Sequence, residues 1–236
     1  MSSAASVVSS AKKLRDTKKA LLLQRFFKTK KGEYGEGDIF WGLTVPQSRI
    51  IAKKFHELSL AEISKLLKSK IHEIRLIALL ILVDQYAKTK NKKLIIDFYI
   101  KNIKHINNWD LVDLSAHKIL GDWFLDKPTT VLEKLVLSNN LWERRVAVLS
   151  CFPRIKNNDF ALTLKLSKLL LTDKHDLMHK AVGWMLREMG KKSLAPLKTF
   201  LNQYATVMPR TMLRYAIEKF PEKERKKYLK IKKVFA

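Results

Sequence analysis

Four of the seven glycines in this chain of 236 residues fall between Gly32 and Gly42, with Pro46 close behind. Glycine is the residue that tight turns ask for, because it reaches positive φ without steric cost. A chain that spends most of its glycine in one place has long stretches with no cheap way to reverse direction sharply. Those stretches carry apolar residues at helical spacing, and none sustains the alternation of a strand. The fold class expected is all-α, broken by one irregular connector over about residues 30–43.

Helix starts are legible throughout. Thr44-Val45-Pro46-Gln47 has the form of a capping box with an early proline and predicts a helix to about His56. Ser59 with Glu62 predicts a second box, opening a helix to about Leu67. His72 to Tyr86 follows, with Ile74, Ile77, Ala78, Ile81 and Leu82 on one face, and then Lys92 to Ile103. Asn108 can cap a helix from Trp109 to about Leu125. Pro128 to Val136, Leu141 to Cys151 (capped by Asn140 and stopped by Pro153), Phe160 to Leu171, Asp176 to Met189, Leu194 to Tyr204 and Pro209 to Lys219 complete the series. A basic helix or tail over about 222–236 ends the chain, carrying a Lys/Arg cluster from Lys223 to Lys233. Helix pairs recur about every 35–40 residues, the period of HEAT-like repeats. The architecture expected is a single domain, residues 1–236, built as a HEAT-like α-solenoid with a concave basic face.

That basic face follows from charge. Lys and Arg number 47 against 22 Asp and Glu, a formal charge of +25. Such an excess repels itself unless a polyanion is near. Nucleic acid leads, since cationic side chains release the counterions condensed on phosphates; an anionic membrane surface and a merely solvated face are the alternatives. Cys151 is the lone cysteine, so no intramolecular disulfide can form and no zinc site can be built on several thiolates. That usage fits a reducing cytosol, and the location expected is cytoplasmic, nucleoid-associated in a bacterium. The longest purely apolar run, Leu76 to Val83, is too short to span a bilayer, and the Ser/Ala-rich basic start is a ragged first helix rather than a secretory signal. A monomer with no cofactor, no metal and no membrane partner is expected. His175 and His179 stand at i,i+4, but no Glu-x-x-His pattern accompanies them, and they read as a solvent-facing pair. The glycine-rich segment lacks the Gly-Lys-Ser/Thr ending of a phosphate loop, and its acids would repel phosphate.

The chemistry rests on Asn108-Trp109-Asp110-Leu111-Val112-Asp113. In a helix Trp109 and Asp113 lie about 40° apart on one face. An aromatic face beside a carboxylate stabilises a cation. Glycoside cleavage passes through an oxocarbenium-like state, and cleavage of an N-glycosidic bond in DNA makes the same kind of cation on the deoxyribose. A base already cationic through alkylation needs no proton from an acid to depart, so one carboxylate would suffice. Two further segments share this character. Gly183-Trp184-Met185-Leu186-Arg187 sets an indole mid-helix with an arginine nearby, and Leu141-Trp142-Glu143-Arg144-Arg145 sets two arginines near a helix start, where phosphate is favoured.

Phe40-Trp41-Gly42-Leu43 with Pro46 and Arg49, Trp109 to Asp113, Gly121-Asp122-Trp123-Phe124, Asn140-Leu141-Trp142 with Arg145, and Lys180 to Glu188 occur in one order across roughly residues 20–220. On these segments the chain resembles the AlkD-like DNA alkylation repair family, HEAT-like-repeat glycosylases acting on alkylated purines in double-stranded DNA. The resemblance implies base excision of cationic lesions such as N3-alkyladenine and N7-alkylguanine, without a base-flipping pocket. It implies catalysis at Asp113, contacts from Trp109 and Trp184 to the lesion's sugar and backbone, and a phosphate contact from Arg145. A tyrosine that touches DNA in some members falls at Phe26, so its hydroxyl is absent here. Arg144 and Arg187 complete the DNA-binding set expected.

Each residue has a plainer reading. Asp113 can pair with a Lys or Arg, and Trp109 and Trp184 can be core aromatics. Trp123 and Trp142 read as packing. Asp110 reads as a first-turn acid favoured by the helix dipole, Arg144 as a solvated neighbour, and Arg187 equally as a partner of Glu188 or another acid. Cys151 reads as a buried thiol. Two functions follow: a monofunctional glycosylase with no Schiff-base lysine, and a non-catalytic scaffold for bent, branched or damaged DNA. RNA binding is third, since no aromatic-rich sheet motif is present.

Overall fold

In a computed structural model of the chain, residues 2–231 are described; Lys232 and Lys233 of the basic cluster, and the end of the helix or tail expected over 222–236, lie outside the described residues. Those residues are all-helical apart from one isolated bridge between Ile39 and Ile71. They divide into two compact units, Met1–Ser115 and Ala116–Ala236.

The first unit holds α1 (Ala4–Lys12), α2 (Thr17–Phe26), α3 (Val45–Lys54), α4 (Leu60–Leu67), α5 (His72–Lys88), α6 (Lys92–Asn102), a 3₁₀ turn (Ile103–His105) and α7 (Trp109–Ala116). Helix α5 is its centre, with α1, α3, α4 and α6 packed against it. Ile74, Ile77, Ala78, Ile81 and Leu82 are fully buried, as their spacing predicts, and so in effect are Leu76 and Leu79 on the other faces. A helix apolar all round belongs at a core, and each such side chain contributes about 1.5–3 kcal/mol by leaving water. The capping box at Thr44 forms in full, with the Gln47 side chain accepting from the Thr44 N–H at 2.8 Å. The second box forms by half. Ser59 accepts from the Glu62 N–H, but the Glu62 carboxylate turns away to accept the Ala4 N–H at 2.7 Å, tying α1 to α4.

The glycine-rich connector is irregular, as expected. At Gly42 φ is +86°, and a Cβ there would lie 2.1 Å from the Asp16 carbonyl oxygen. The residue must be glycine because the connector presses on the start of α2, where the Asp16 N–H donates to the Trp41 carbonyl at 2.9 Å.

The second unit holds a π turn (His117–Gly121), α8 (Thr130–Leu135), α9 (Leu141–Leu149), α10 (Phe152–Lys156), α11 (Ala161–Leu169), α12 (Asp176–Lys192), α13 (Leu194–Tyr204), α14 (Arg210–Ala216) and α15 (Glu222–Lys230). Here α12 is central, packed against α9, α10, α11, α13 and α14. At Gly183 a Cβ would lie 2.5 Å from that of Tyr215 on α14, so glycine sets how closely those two helices approach. Pro153 does not simply stop α9; it sits in the first turn of α10, where its missing N–H costs nothing. The histidine pair is partly buried, and each ring is engaged within the chain. His175 caps α12 by accepting the Leu177 N–H, and His179 Nε2 lies 2.5 Å from the Asp173 carbonyl oxygen. Cys151 is buried, and burial pushes its thiol up to about 12, which leaves it protonated and inert.

Candidate active site

Helix α7 begins where Asn108, itself fully buried, accepts the Trp109 N–H on its side-chain oxygen at 2.8 Å. One turn later comes Asp113. Both residues are half-buried, and both line one pocket of about 540 Å³ in the first unit. Its walls are almost wholly apolar: Leu22, Leu23 and Phe26 of α2, Phe27, Phe40 and Leu76, with Lys19 and Asp113 among the few charges. Asp113 therefore faces a cavity lined by hydrocarbon and aromatic rings rather than the sealed interior.

The rings are ordered. Trp109 stacks on Phe27 at 5.1 Å and 17° between planes, and Phe27 stacks on Phe40 at 4.9 Å and 19°. Phe40 stacks in turn on His72 at 4.4 Å. Phe26, 63% exposed, meets Trp109 edge to face at 6.0 Å. The indole Nε1–H donates to the Tyr34 hydroxyl at 3.3 Å, and that hydroxyl reaches the Phe26 carbonyl at 3.4 Å. With both its ring plane and its edge held, Trp109 is a fixed part of the pocket wall.

Behind the rings lies a closed set of charges. His72 is bound by Asp110 on Nε2 at 2.8 Å and by Asp38 on Nδ1 at 3.1 Å. Arg75 donates to the other Asp38 oxygen at 2.7 Å, and Asn107 and Asn108 add longer bonds to the same carboxylate. Burial pulls the His72 imidazole down, but the two carboxylates outweigh it and its pKa is raised to about 9, so the ring is a cation at neutral pH. Burial pushes the Asp38 carboxyl up; the His72 hydrogen bond and the Arg75 guanidinium overcome that and hold it below the usual carboxylate range. Asp110 is a first-turn acid of α7, as the sequence suggests, and it has a second role that the sequence does not show. It is buried and anchors α7 to α5, because the His72 cation opposite requires a counter-charge.

Glu73, next in sequence, performs the matching task for the connector. Its carboxylate accepts the N–H groups of Trp41 at 3.0 Å, Gly42 at 2.8 Å and Leu43 at 3.2 Å. Neither Glu73 nor the Asp38–His72–Asp110 chain emerges from motif reading. The available signal is that His72, Glu73 and Arg75 open a helix otherwise apolar on every face, where polar side chains must be paired.

The remaining residues expected of the site belong to the second unit. Trp184 is half-buried on α12, with Nε1–H donating to Glu188 at 3.1 Å and Phe152 nearby at 6.4 Å. Arg187 pairs with Glu218 and Glu188. Arg145 is 5% exposed and donates to the Leu177 carbonyl at 2.7 Å. Arg144 is no solvated neighbour: it binds Asp173 at 2.7 Å and the carbonyls of Ser138 and Asn139. Trp142 is buried, in keeping with a packing role, and Trp123 carries the Lys127 ammonium 4.3 Å from its ring centre. Among the described residues no group of three or more His, Cys, Asp or Glu could hold a metal.

The family model described as DNA alkylation repair enzyme matches residues 9–220. Among solved structures, one titled a predicted DNA alkylation repair enzyme from Enterococcus faecalis superposes with a TM-score of 0.71, covering 88% of this chain and 97% of its own. The two are 18% identical, so that likeness is one of fold. No curated protein matches this chain.

Proposed function

The chain belongs to the DNA alkylation repair enzyme family, and from that premise we propose that it is a monofunctional glycosylase that hydrolyses the N-glycosidic bond of cationic alkylated purines in duplex DNA. The observation that carries this reading is the shared pocket of Asp113 and Trp109, a carboxylate beside an indole in a cavity whose walls are almost wholly apolar.

Cleavage of the C1′–N bond sends its electron pair to the departing base. The base arrives positive, as N3-alkyladenine or N7-alkylguanine, and leaves neutral without protonation. The positive charge passes to the deoxyribose as an oxocarbenium-like centre. Asp113 supplies the opposing negative charge, and the Trp109 face, held by Phe27 and Tyr34, adds the negative side of its quadrupole. Apolar walls keep the local dielectric low, which strengthens that attraction. Water adds at C1′, and its proton passes to Asp113 or onward to solvent. Selectivity rests on the lesion's charge and weakened bond rather than on base flipping. Trp184 and the arginines Arg144, Arg145 and Arg187 enter as backbone contacts. Each arginine already serves a partner within the chain, and a guanidinium has five N–H donors, so a phosphate would share it.

The test is Asp113→Asn, assayed for release of N7-methylguanine and N3-methyladenine from methylated DNA. The expected loss is about 10²-fold or more in rate, the scale for removing one preorganised charge from a dry site. Activity within a few-fold of the parent protein removes Asp113 from the chemistry. Salt-sensitive DNA binding without any base release in the parent protein itself favours the non-catalytic scaffold instead.

A further inference from the structure

A second cavity in the first unit, of about 210 Å³, lies away from the Asp113 pocket. Three polar atoms that are buried without a hydrogen-bond partner belong to residues of its lining: Arg75 Nε, His105 Nε2 and Asn107 Oδ1. A buried polar atom with nothing to bind costs free energy, and three around one cavity point to an occupant.

The charges identify its class. Arg75, its side chain 5% exposed, uses its two terminal nitrogens on the Ser69 carbonyl and on Asp38, which leaves Nε–H. Lys68, Lys70 and Lys104 line the same cavity and are exposed. Two acids line it as well, but both are engaged. Asp38 accepts from His72, Arg75, Asn107 and Asn108, while Glu36 accepts the Gly32 N–H at 2.7 Å. Burial pulls His105 below its usual pKa, and Lys104, Lys68 and Arg75 push it further the same way. The neutral ring can then offer an N–H from Nε2. Four cations against two occupied carboxylates repel a metal ion and attract an anion. A guanidinium N–H, an imidazole N–H and flexible ammonium groups match a tetrahedral oxyanion. Asn107 Oδ1 is the exception, an acceptor that an anion does not serve and that calls for a donor such as water; its amide nitrogen is committed to Asp38 at 3.2 Å.

We propose that this cavity binds a phosphate group, with Arg75 and His105 beneath it and Lys68, Lys70 and Lys104 at the rim. The group comes either from the DNA backbone or from free phosphate. The proposal goes beyond base excision and stands without it, since neither the site nor its test uses a lesion.

The experiment compares the full chain with the double variant Lys68→Gln/Lys104→Gln. Both lysines are exposed, so the fold should persist. Arg75→Lys serves as a second variant that keeps the charge but loses the fork, and Lys12→Gln/Lys13→Gln removes equal charge elsewhere. Two quantities are read: binding of inorganic phosphate by ³¹P NMR with chloride as the control ion, and the slope of log K against log[salt] for an undamaged duplex. A slope shallower by about 0.9 per lost phosphate contact in the first variant, and unchanged in the Lys12/Lys13 control, identifies a backbone phosphate. Phosphate binding that weakens about tenfold in the first variant and in Arg75→Lys, with the slope unchanged, identifies free phosphate. If inorganic phosphate fails to bind and the duplex slope matches the control, the cavity holds water only and the proposal is overturned.

Discussion

Trp109 in the first unit and Trp184 in the second are both half-buried indoles on helices, each with charges close by, and they are held in opposite ways. Trp109 is fixed by ring stacking on Phe27 and by Tyr34, with no acid on its nitrogen, and the charges behind it close among themselves away from water. Trp184 donates directly to Glu188, which also binds Lys191, while Arg187 reaches Glu218. Lys191 and Glu218 are each more than 40% exposed. Buried, paired charge fixes geometry and is costly to break; exposed ion pairs hold little. Trp109 is therefore held still by its surroundings, whereas Trp184 is tied by contacts that can rearrange.

Breaking the first arrangement at Glu73 should have the largest effect. Its carboxylate is the acceptor for three backbone N–H groups of the connector, and it is 2% exposed. Glu73→Ala leaves those donors buried and unpaired. The expected loss is about 4 kcal/mol of unfolding free energy, from roughly 1–3 kcal/mol per orphaned group with partial relaxation. Urea unfolding measures it, and a loss under about 1 kcal/mol would mean that the connector is held by other contacts. Phe40 rides on that segment, so Trp109 stacking should loosen too, visible as a shift in tryptophan emission.

The next effect is one of pH. The His72 pKa is raised to about 9 by Asp110 and Asp38 against the opposing burial and the Arg75 charge. A raised pKa means that the proton stabilises the fold. The contribution is complete below about 6.5, falls as pH rises, and is gone above about 9. Its size is on the order of 3 kcal/mol. Asp38 acts in the other direction, its stabilisation present above the ordinary carboxylate range and lost in acid. The groups facing His72 are Asp38 of the connector, Arg75 of α5 and Asp110 of α7. Stability of the parent protein should decline from pH 6.5 to 9.5, and His72→Gln should flatten most of that decline. Parallel profiles for the two proteins would show that the imidazole is not the titrating group.

Much of this was legible in the sequence, and the reason differs by feature. Helix starts at Thr44 and Asn140 are local, written in residues three apart or fewer, and they form as read. The core face of α5 follows from period alone. Trp109 and Asp113 sit on one pocket because helical spacing puts them there. The Asp38–His72–Asp110 chain joins residues 34 and 38 apart, across an irregular connector, and no local pattern encodes it. Asp110 is read only in part for that reason: its place in the first turn is local, but its role as a buried counter-ion is invisible until the residue opposite is known. Glu62 is likewise read only in part, since its cap partner competes with Ala4, 58 residues away.

The smallest effect expected is at Arg187, and it bears most directly on the contrast between the two tryptophans. Its side chain is 17% exposed and its partner Glu218 is 43% exposed, so solvent screens the pair. Arg187→Gln should change stability by less than about 1 kcal/mol, and a double-mutant cycle with Glu218→Gln should give a coupling no larger than that. If its pairs with Glu218 and Glu188 are all that Arg187 does, the salt dependence of duplex binding stays as it was, because no phosphate contact has been removed. A slope shallower by about 0.9 would instead show that Arg187 leaves Glu218 for a phosphate when DNA arrives. The second unit would then be a binding surface kept in a self-paired state, with Glu218 standing in for the phosphate. Glu218→Gln separates the cases. It should tighten binding if the arginine is being released, and leave it unchanged if the pair is only a strut between α12 and the segment after α14.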